Sequence, residues 1–364
     1  MSPDPADSPA RPSAGAGRRR RLALVAGSGL LLALLGEVAV RVYDGVRGVS
    51  PHSHNFAYFL FRPHPYRGYS LAPGLRIRFA HGRTIGVNSL GFRGPEFTPE
   101  KPPGTTRIFC LGESSTFGLY ESDEDVWPRR LEERLRARFP DRRFEVVNAG
   151  VPGYSSYESL IYLQQEIVNY RPDAVLAYHG WNDAIKLGTI GASGNLPETG
   201  ILRVRHVEKH GWLRDLLNGS SLFGVLENRV LDPLWVARHE GRWFFDRLYD
   251  ERNVETDLAA FERNLRAIAR FAGDNGFEAV LCAPIVRRGD PAAEPKWARW
   301  IPRCEETVRK VARETGAALA DAARGVEAKP EYLLDPVHFT PRGSEAMAEF
   351  LAARLAEILP KAAR

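Results

Sequence analysis

The sequence predicts an α/β protein: a doubly wound parallel sheet of about five strands, preceded by a transmembrane helix and a small irregular β segment. Three observations carry that prediction. From Arg107 onward, short runs with strand character alternate with apolar stripes at helical spacing. The strand runs end in Gly, Ser or Asn turns, the place where open parallel sheets gather their ligands. The amino terminus joins a basic run to an uncharged apolar one.

Residues 1–21 read as a disordered, basic cytoplasmic tail, because their first 17 residues are rich in Pro, Ala, Ser and Gly. Arg11 and Arg18 to Arg21, against Asp4 and Asp7, supply +3 of the net charge of +5. The little charge left for the rest of the chain excludes a nucleic-acid footprint. Residues 22–43 read as a membrane anchor. Leu22 to Gly36 carries no charge, and continuing to Val40 adds only Glu37. At about 1.5 Å per residue that helix is roughly 28 Å long, close to a bilayer core. The arginines hold their end in the cytoplasm, which makes the chain a single-pass inner-membrane protein with everything after the anchor outside the cytoplasm. The rival is a cleaved signal peptide, but Glu37 and Arg41 stand where its small-residue cleavage site belongs.

Residues 44–106 form the irregular, partly β segment. A dense aromatic stretch from His52 to Tyr66 precedes two alternating runs, Leu75–Phe79 and Thr84–Asn88, joined at Gly82. Residues 107–364 form the main domain. Its candidate strands are 107–111, 144–148, 174–178, 279–283 and 317–320. Between them, Trp127, Leu131, Leu135 and Phe139 share one helical face, Leu160, Leu163, Ile167 and Tyr170 a second, and Leu258, Phe261, Leu265, Ile268 and Phe271 a third. The last helix has Thr340 as its N-cap and Pro341 at its first position. An insertion at about 184–256 breaks the alternation and carries Trp212, Trp235, Trp243, Phe244, Phe245, His206, His210 and His239. It reads as extra periphery, a lid or a sugar-stacking surface. The three cysteines show no metal spacing; Cys110 and Cys282 fall in strand runs as buried thiols, and a Cys282–Cys304 disulfide stays open. No cofactor or metal motif is present, and the oligomeric state is not readable.

Four segments hold the polar residues of interest. Gly112-Glu113-Ser114-Ser115 ends the first strand of the domain, and Asn148 to Gly153 follows the second. Gly180-Trp181-Asn182-Asp183 follows the third, and Asp335-Pro336-Val337-His338 precedes the last helix. Each alone is an ordinary turn or cap. Together they bring a hydroxyl, an imidazole with an acid three residues away, close-approach glycines and a neutral amide donor to one edge of the sheet. Nucleophilic acyl transfer requires that set.

These four segments resemble the four sequence blocks of the SGNH hydrolases, the GDSL-type esterase and acylhydrolase superfamily. The resemblance runs from about Arg107 to Leu359 and implies a three-layer, flavodoxin-like fold. It also implies roles: Ser114 as nucleophile, His338 as general base and then acid, Asp335 as the residue that orients His338. The backbone N–H groups of Ser114 and Gly153 and the side chain of Asn182 would form the oxyanion hole. Glu113 stands where the family has Asp and Ser115 where it has Leu, which leaves two adjacent hydroxyls. The absence of a G-x-S-x-G elbow separates the chain from ordinary α/β-hydrolase lipases. The reading is a serine esterase acting on a short-chain, carbohydrate-linked O-acyl ester. The alternatives are an O-acyltransferase serving an extracytoplasmic polysaccharide and a non-catalytic carbohydrate-binding protein of the same fold.

Overall fold

The computed structural model describes residues 14–186, 212–231, 254–287 and 300–362. The described residues begin with one long helix, α1 (Ala14–Val46), which includes Arg18 to Arg21 and is long and apolar enough to cross a membrane, a character that signal sequences share. A short helix, α2 (Phe56–Leu60), leads into two antiparallel hairpins. The first pairs β1 (Phe61–His64) with β2 (Gly68–Leu71), and the second pairs β3 (Arg76–Arg78) with β4 (Thr84–Gly86). The second matches the two alternating runs in the sequence. The first was hidden there, because Arg62, Pro63 and His64 break its apolar alternation.

The central sheet consists of β5 (Thr105–Gly112), β6 (Arg143–Gly150), β7 (Ala174–Tyr178), β8 (Glu278–Cys282) and β9 (Ala318–Ala320). All five are parallel, in the order β6-β5-β7-β8-β9. The chain therefore reverses its direction of winding between β5 and β7, and a crevice opens there at the carboxyl ends of the strands.

Along β5, side chains alternate between two cores. Phe109 and Leu111 join one; Ile108 and Cys110 join the other. The first core is covered by α5 (Ser156–Gln165), α9 (Val254–Asp274) and α10 (Ile301–Thr315), through residues such as Leu163, Phe261, Leu265 and Val308. The second is covered by α4 (Trp127–Arg138) and by the last helix, α12 (Pro341–Ala362), which follows the short α11 (Ala322–Gly325), through Trp127, Leu131, Met347 and Leu351. The expected helical face through Tyr170 is shorter than the sequence suggested. α5 ends at Gln165, and a 3₁₀ turn covers Ile167–Tyr170. Arg171 then takes a left-handed φ of 52° ahead of Pro172, which disfavours a helical residue before it.

Cys110, Cys282 and Cys304 are free and buried. Cys282 and Cys304 lie in opposite cores, so no disulfide joins them. Burial raises the pKa of all three thiols, which removes them as nucleophiles. Of the insertion residues named from the sequence, Trp212 is described; Trp235, Trp243, Phe244, Phe245, His206, His210 and His239 lie outside the described residues.

Candidate active site

Ser114 is the first residue of a single helical turn, α3 (Ser114–Phe117), that follows β5 directly. Two glycines make that turn possible. A Cβ on Gly112 would stand 1.9 Å from Thr116 Oγ1, and one on Gly150 would stand 2.5 Å from the Phe117 nitrogen. The turn can therefore pack flat against β5 and β6 only because neither strand carries a side chain there. Asn148 fastens it. Its amide donates to the Thr116 carbonyl at 2.8 Å, and its oxygen accepts from the Gly150 N–H at 2.9 Å.

The two adjacent serines are distinguished by burial. Ser115 is 1% exposed and belongs to the interior, whereas Ser114 is half-buried and faces the crevice. His338 Nε2 lies 2.8 Å from Ser114 Oγ, and His338 Nδ1 lies 2.7 Å from Asp335 Oδ2. The second Asp335 oxygen accepts from the backbone N–H groups of Val337 and His338 at 2.9 and 2.8 Å, so one carboxylate shapes the loop and orients the ring. Burial alone would raise the Asp335 pKa. The His338 ring and the two N–H donors outweigh it and hold the carboxyl below its ordinary range. Behind this loop Thr340 Oγ1 accepts from the Gly343 N–H at 3.1 Å, so the N-cap that fixes α12 also fixes the turn carrying His338.

The amide and glycine positions occupy the same edge. Asn182 is 7% exposed, in α6 (Trp181–Lys186), and its Nδ2 donates to the Tyr154 carbonyl at 2.7 Å. A side-chain amide has two N–H bonds, so that contact fixes the group while using one of them. Gly153 adopts a φ of 86° in the loop after β6. That loop is pinned to β5 by the Val151 N–H, which donates to the Gly112 carbonyl at 3.1 Å. The N–H of Ser114, at the start of a helical turn, has no acceptor four residues back within it.

Three residues to which the sequence reading gave no role hold these loops together. Glu113 is 1% exposed; its two oxygens accept from the backbone N–H of Trp181 at 3.1 Å and of Asn182 at 2.9 Å. The carboxylate beside Ser114 thus ties β5 to the loop after β7. Asp183 ties that loop to the one after β6, accepting from Ser156 Oγ at 2.6 Å and from the Ser156 N–H at 3.2 Å. Arg93, buried and contributed by the segment before the sheet, donates to the carbonyls of Phe117 and Glu121 at 3.2 and 3.0 Å. The exposed Tyr120 ring meets the His338 ring edge-on at 4.9 Å. An acid next to the proposed nucleophile was a usable signal for Glu113. Arg93 and Tyr120 have none, since neither spacing nor periodicity links them to the four segments.

The arrangement supplies a hydroxyl hydrogen-bonded to an imidazole, an ionised acid behind it, and donors at the neighbouring loop ends. Such a site can add an oxygen nucleophile to a carbonyl carbon. Residues 110–346 match the model of the GDSL-like lipase/acylhydrolase family. No curated protein matches the chain. Among solved structures, an α/β hydrolase enzyme from the metagenome of Lake Arreo, Spain, is 17% identical with a TM-score of 0.44, over 69% of this chain and 95% of that one. An acetylxylan esterase from Geobacillus stearothermophilus is 15% identical with a TM-score of 0.43, over 69% of this chain and 94% of that one.

Proposed function

The chain belongs to the GDSL-like lipase/acylhydrolase family, and from that premise we propose that it is a membrane-tethered serine esterase acting outside the cytoplasm on short-chain, carbohydrate-linked O-acyl esters. The observation that carries the catalytic reading is the continuous relay from Ser114 Oγ through the His338 ring to Asp335. In this mechanism Ser114 Oγ attacks the ester carbonyl while His338 Nε2 takes its proton. Asp335 stays ionised, holds the ring in the tautomer with its proton on Nδ1 and stabilises the imidazolium. The Ser114 and Gly153 N–H groups and the Asn182 amide receive the oxyanion. Collapse expels the alcohol, which takes the proton from His338 and leaves acyl-Ser114. Water, activated by the same imidazole, then releases the acid.

The basic run Arg18 to Arg21, in the first part of α1 and ahead of its apolar stretch, supports a cytoplasmic amino terminus and a translocated catalytic domain. The exposed Tyr120 ring beside His338 offers a flat face on which a sugar could stack. The test uses the full-length chain in detergent with p-nitrophenyl acetate and a fluorophosphonate. The expected result is turnover, with the phosphonate found by mass spectrometry on Ser114. Labelling elsewhere, or turnover undiminished in Ser114→Ala, would remove Ser114 as nucleophile. Product analysis with an acetylated oligosaccharide as donor and a second sugar as acceptor reads out whether water or a hydroxyl resolves the intermediate.

A further inference from the structure

A second surface of the chain points at the bilayer. It consists of α7 (Trp212–Asn218) and α8 (Ser221–Leu226), two short helices joined at Gly219 and Ser220. α8 packs against the carboxyl-terminal part of α1, and α7 packs against α8. Gly36 has no side chain, and a Cβ there would stand 3.0 Å from Leu222 Cδ2, so its absence lets the two helices meet closely. Next to it, Glu37 accepts from the N–H groups of Ser221 and Leu222 at 3.0 and 2.9 Å and from Ser220 Oγ at 2.7 Å. Arg41 closes the arrangement. It donates to Glu37 at 2.6 Å and to the Gly219 carbonyl at 2.8 Å.

The depth of this contact matters. From Arg21 to Arg41 a helix rises about 30 Å, the thickness of a hydrocarbon core, so the two arginines mark its two faces. Glu37 then lies about 6 Å inside the outer face, where an unpaired carboxylate is costly. The donors that satisfy it come from α8, which must therefore lie at the same depth. The side of the pair facing the protein is polar and fastened. Asn55 Nδ2 donates to the Asn218 carbonyl at 3.1 Å, Ser221 Oγ donates to the Pro51 carbonyl at 3.2 Å, and the Tyr58 hydroxyl bonds Asp215. The other side is apolar and open: Trp212 is 78% exposed and Leu216 65%, with Leu213 and Leu217 beside them.

We infer that α7 and α8 form an interfacial hairpin that lies in the outer leaflet of the bilayer that α1 spans, with Trp212, Leu213 and Leu216 among the lipid chains. The inference rests on the membrane-spanning reading of α1. Glu37 is then the joint between anchor and hairpin rather than a flaw in the apolar run. An exposed tryptophan at the edge of such a face matches the preference of indole for the interface. The hairpin fixes the domain against the membrane at two places, where a single helix would leave it free to swivel.

The test keeps the full chain, reconstituted into phosphatidylcholine–phosphatidylglycerol vesicles. The native thiols are buried, so a cysteine introduced as Leu31→Cys or Leu216→Cys takes an environment-sensitive fluorophore selectively. The Leu31 probe reports the anchor and should be quenched by a spin label deep in the lipid chain. The Leu216 probe should shift to the blue and be quenched by a spin label high on the chain, while aqueous iodide has little effect. A quenched Leu31 probe with a Leu216 probe open to iodide overturns the hairpin and leaves the anchor standing. A Leu31 probe that no lipid label reaches removes the anchor and the inference with it. A Leu216 probe shielded from both quenchers, with shielding lost on dilution into excess lipid, assigns the face to a second copy of the chain and overturns the lipid assignment.

Discussion

Glu113 and Glu37 perform the same local act in two different places. Each is a carboxylate from one element that accepts from the first two N–H groups of a short helix far along the chain. Glu113 does so for Trp181 and Asn182, and Glu37 for Ser221 and Leu222. A helix start offers unsatisfied donors and a partial positive charge, so a carboxylate stabilises it and is stabilised in return. The difference lies in what surrounds the pair. Glu113 sits in the interior of the domain, where the clamp sets the relative position of Ser114 and Asn182, the proposed nucleophile and the proposed oxyanion donor. Glu37 sits on a helix whose Leu and Val side chains are exposed, where the clamp joins one apolar surface to another. One device therefore serves the edge of the sheet in one place and α1 in the other, and the two uses are separable by experiment.

The largest effect is expected where the clamped site does its chemistry. Asp335→Asn keeps the size of the side chain but no longer holds the correct His338 tautomer, and should lower kcat by about four orders of magnitude. Measured turnover within tenfold of the parent would show that Asp335 only shapes the loop. Its lowered pKa fixes the sign of the pH dependence. The carboxylate persists as pH falls through the neutral and mildly acidic range, so any loss of activity there does not follow protonation of Asp335. Asn182→Ala removes one oxyanion donor and should cost about 10²–10³ in kcat with KM little changed.

Glu113→Gln tests the clamp itself. Two N–H donors face two carboxylate oxygens, and an amide presents an NH₂ group to one of them. One buried N–H is left unpaired, at a cost of about 1–3 kcal/mol in unfolding free energy. The shift in donor position should lower kcat by roughly tenfold, less than removal of the donor does. Unchanged stability and kcat would mean that the bonds from Trp181 and Asn182 are incidental.

A neighbouring carboxyl gives a pH-dependent contrast. Glu121, also buried, has its pKa pushed up to about 8 by burial and by Asp125, against the lowering effects of Ser344, Arg93 and Arg130. Its folded-state pKa exceeds the unfolded one, so its contribution is fully present below the unfolded value and is lost as pH rises through about 8. Glu121→Gln should therefore flatten the decline in stability between mildly acidic pH and pH 8. Denaturant melts at several pH values in that window check the sign, and parallel curves for the two proteins would contradict it.

The sheet and the four loop segments were legible in the sequence for a physical reason. Parallel strands buried on both faces, such as the one ending at Gly112, are continuous apolar runs, and their ends concentrate Gly, Ser and Asn over a few residues. What joins those segments was not legible. Arg93 reaches Phe117 and Glu121 through tertiary packing, and the hairpin of β1 and β2 lacks the alternation of a half-buried ribbon. Glu37 read as an interruption of the apolar run because its partners, Ser220, Ser221 and Leu222, lie more than 180 residues away.

Glu37→Gln is the smallest change and the sharpest test of the comparison. If the two clamps are independent, kcat and KM on a soluble ester should stay within about twofold of the parent, since Glu37 touches none of the loops at the sheet edge. The amide still accepts through one oxygen but loses its charge, and with it the ion pair to Arg41 and part of the attraction to the start of α8. The hairpin should then loosen from α1 while the anchor stays inserted. In vesicles, a probe at Leu216 should become more open to iodide in the Glu37→Gln background, and a probe at Leu31 should not change. A fall in turnover comparable to that of Glu113→Gln would show instead that the anchor and the reaction site are mechanically coupled, and that the two carboxylates serve one framework.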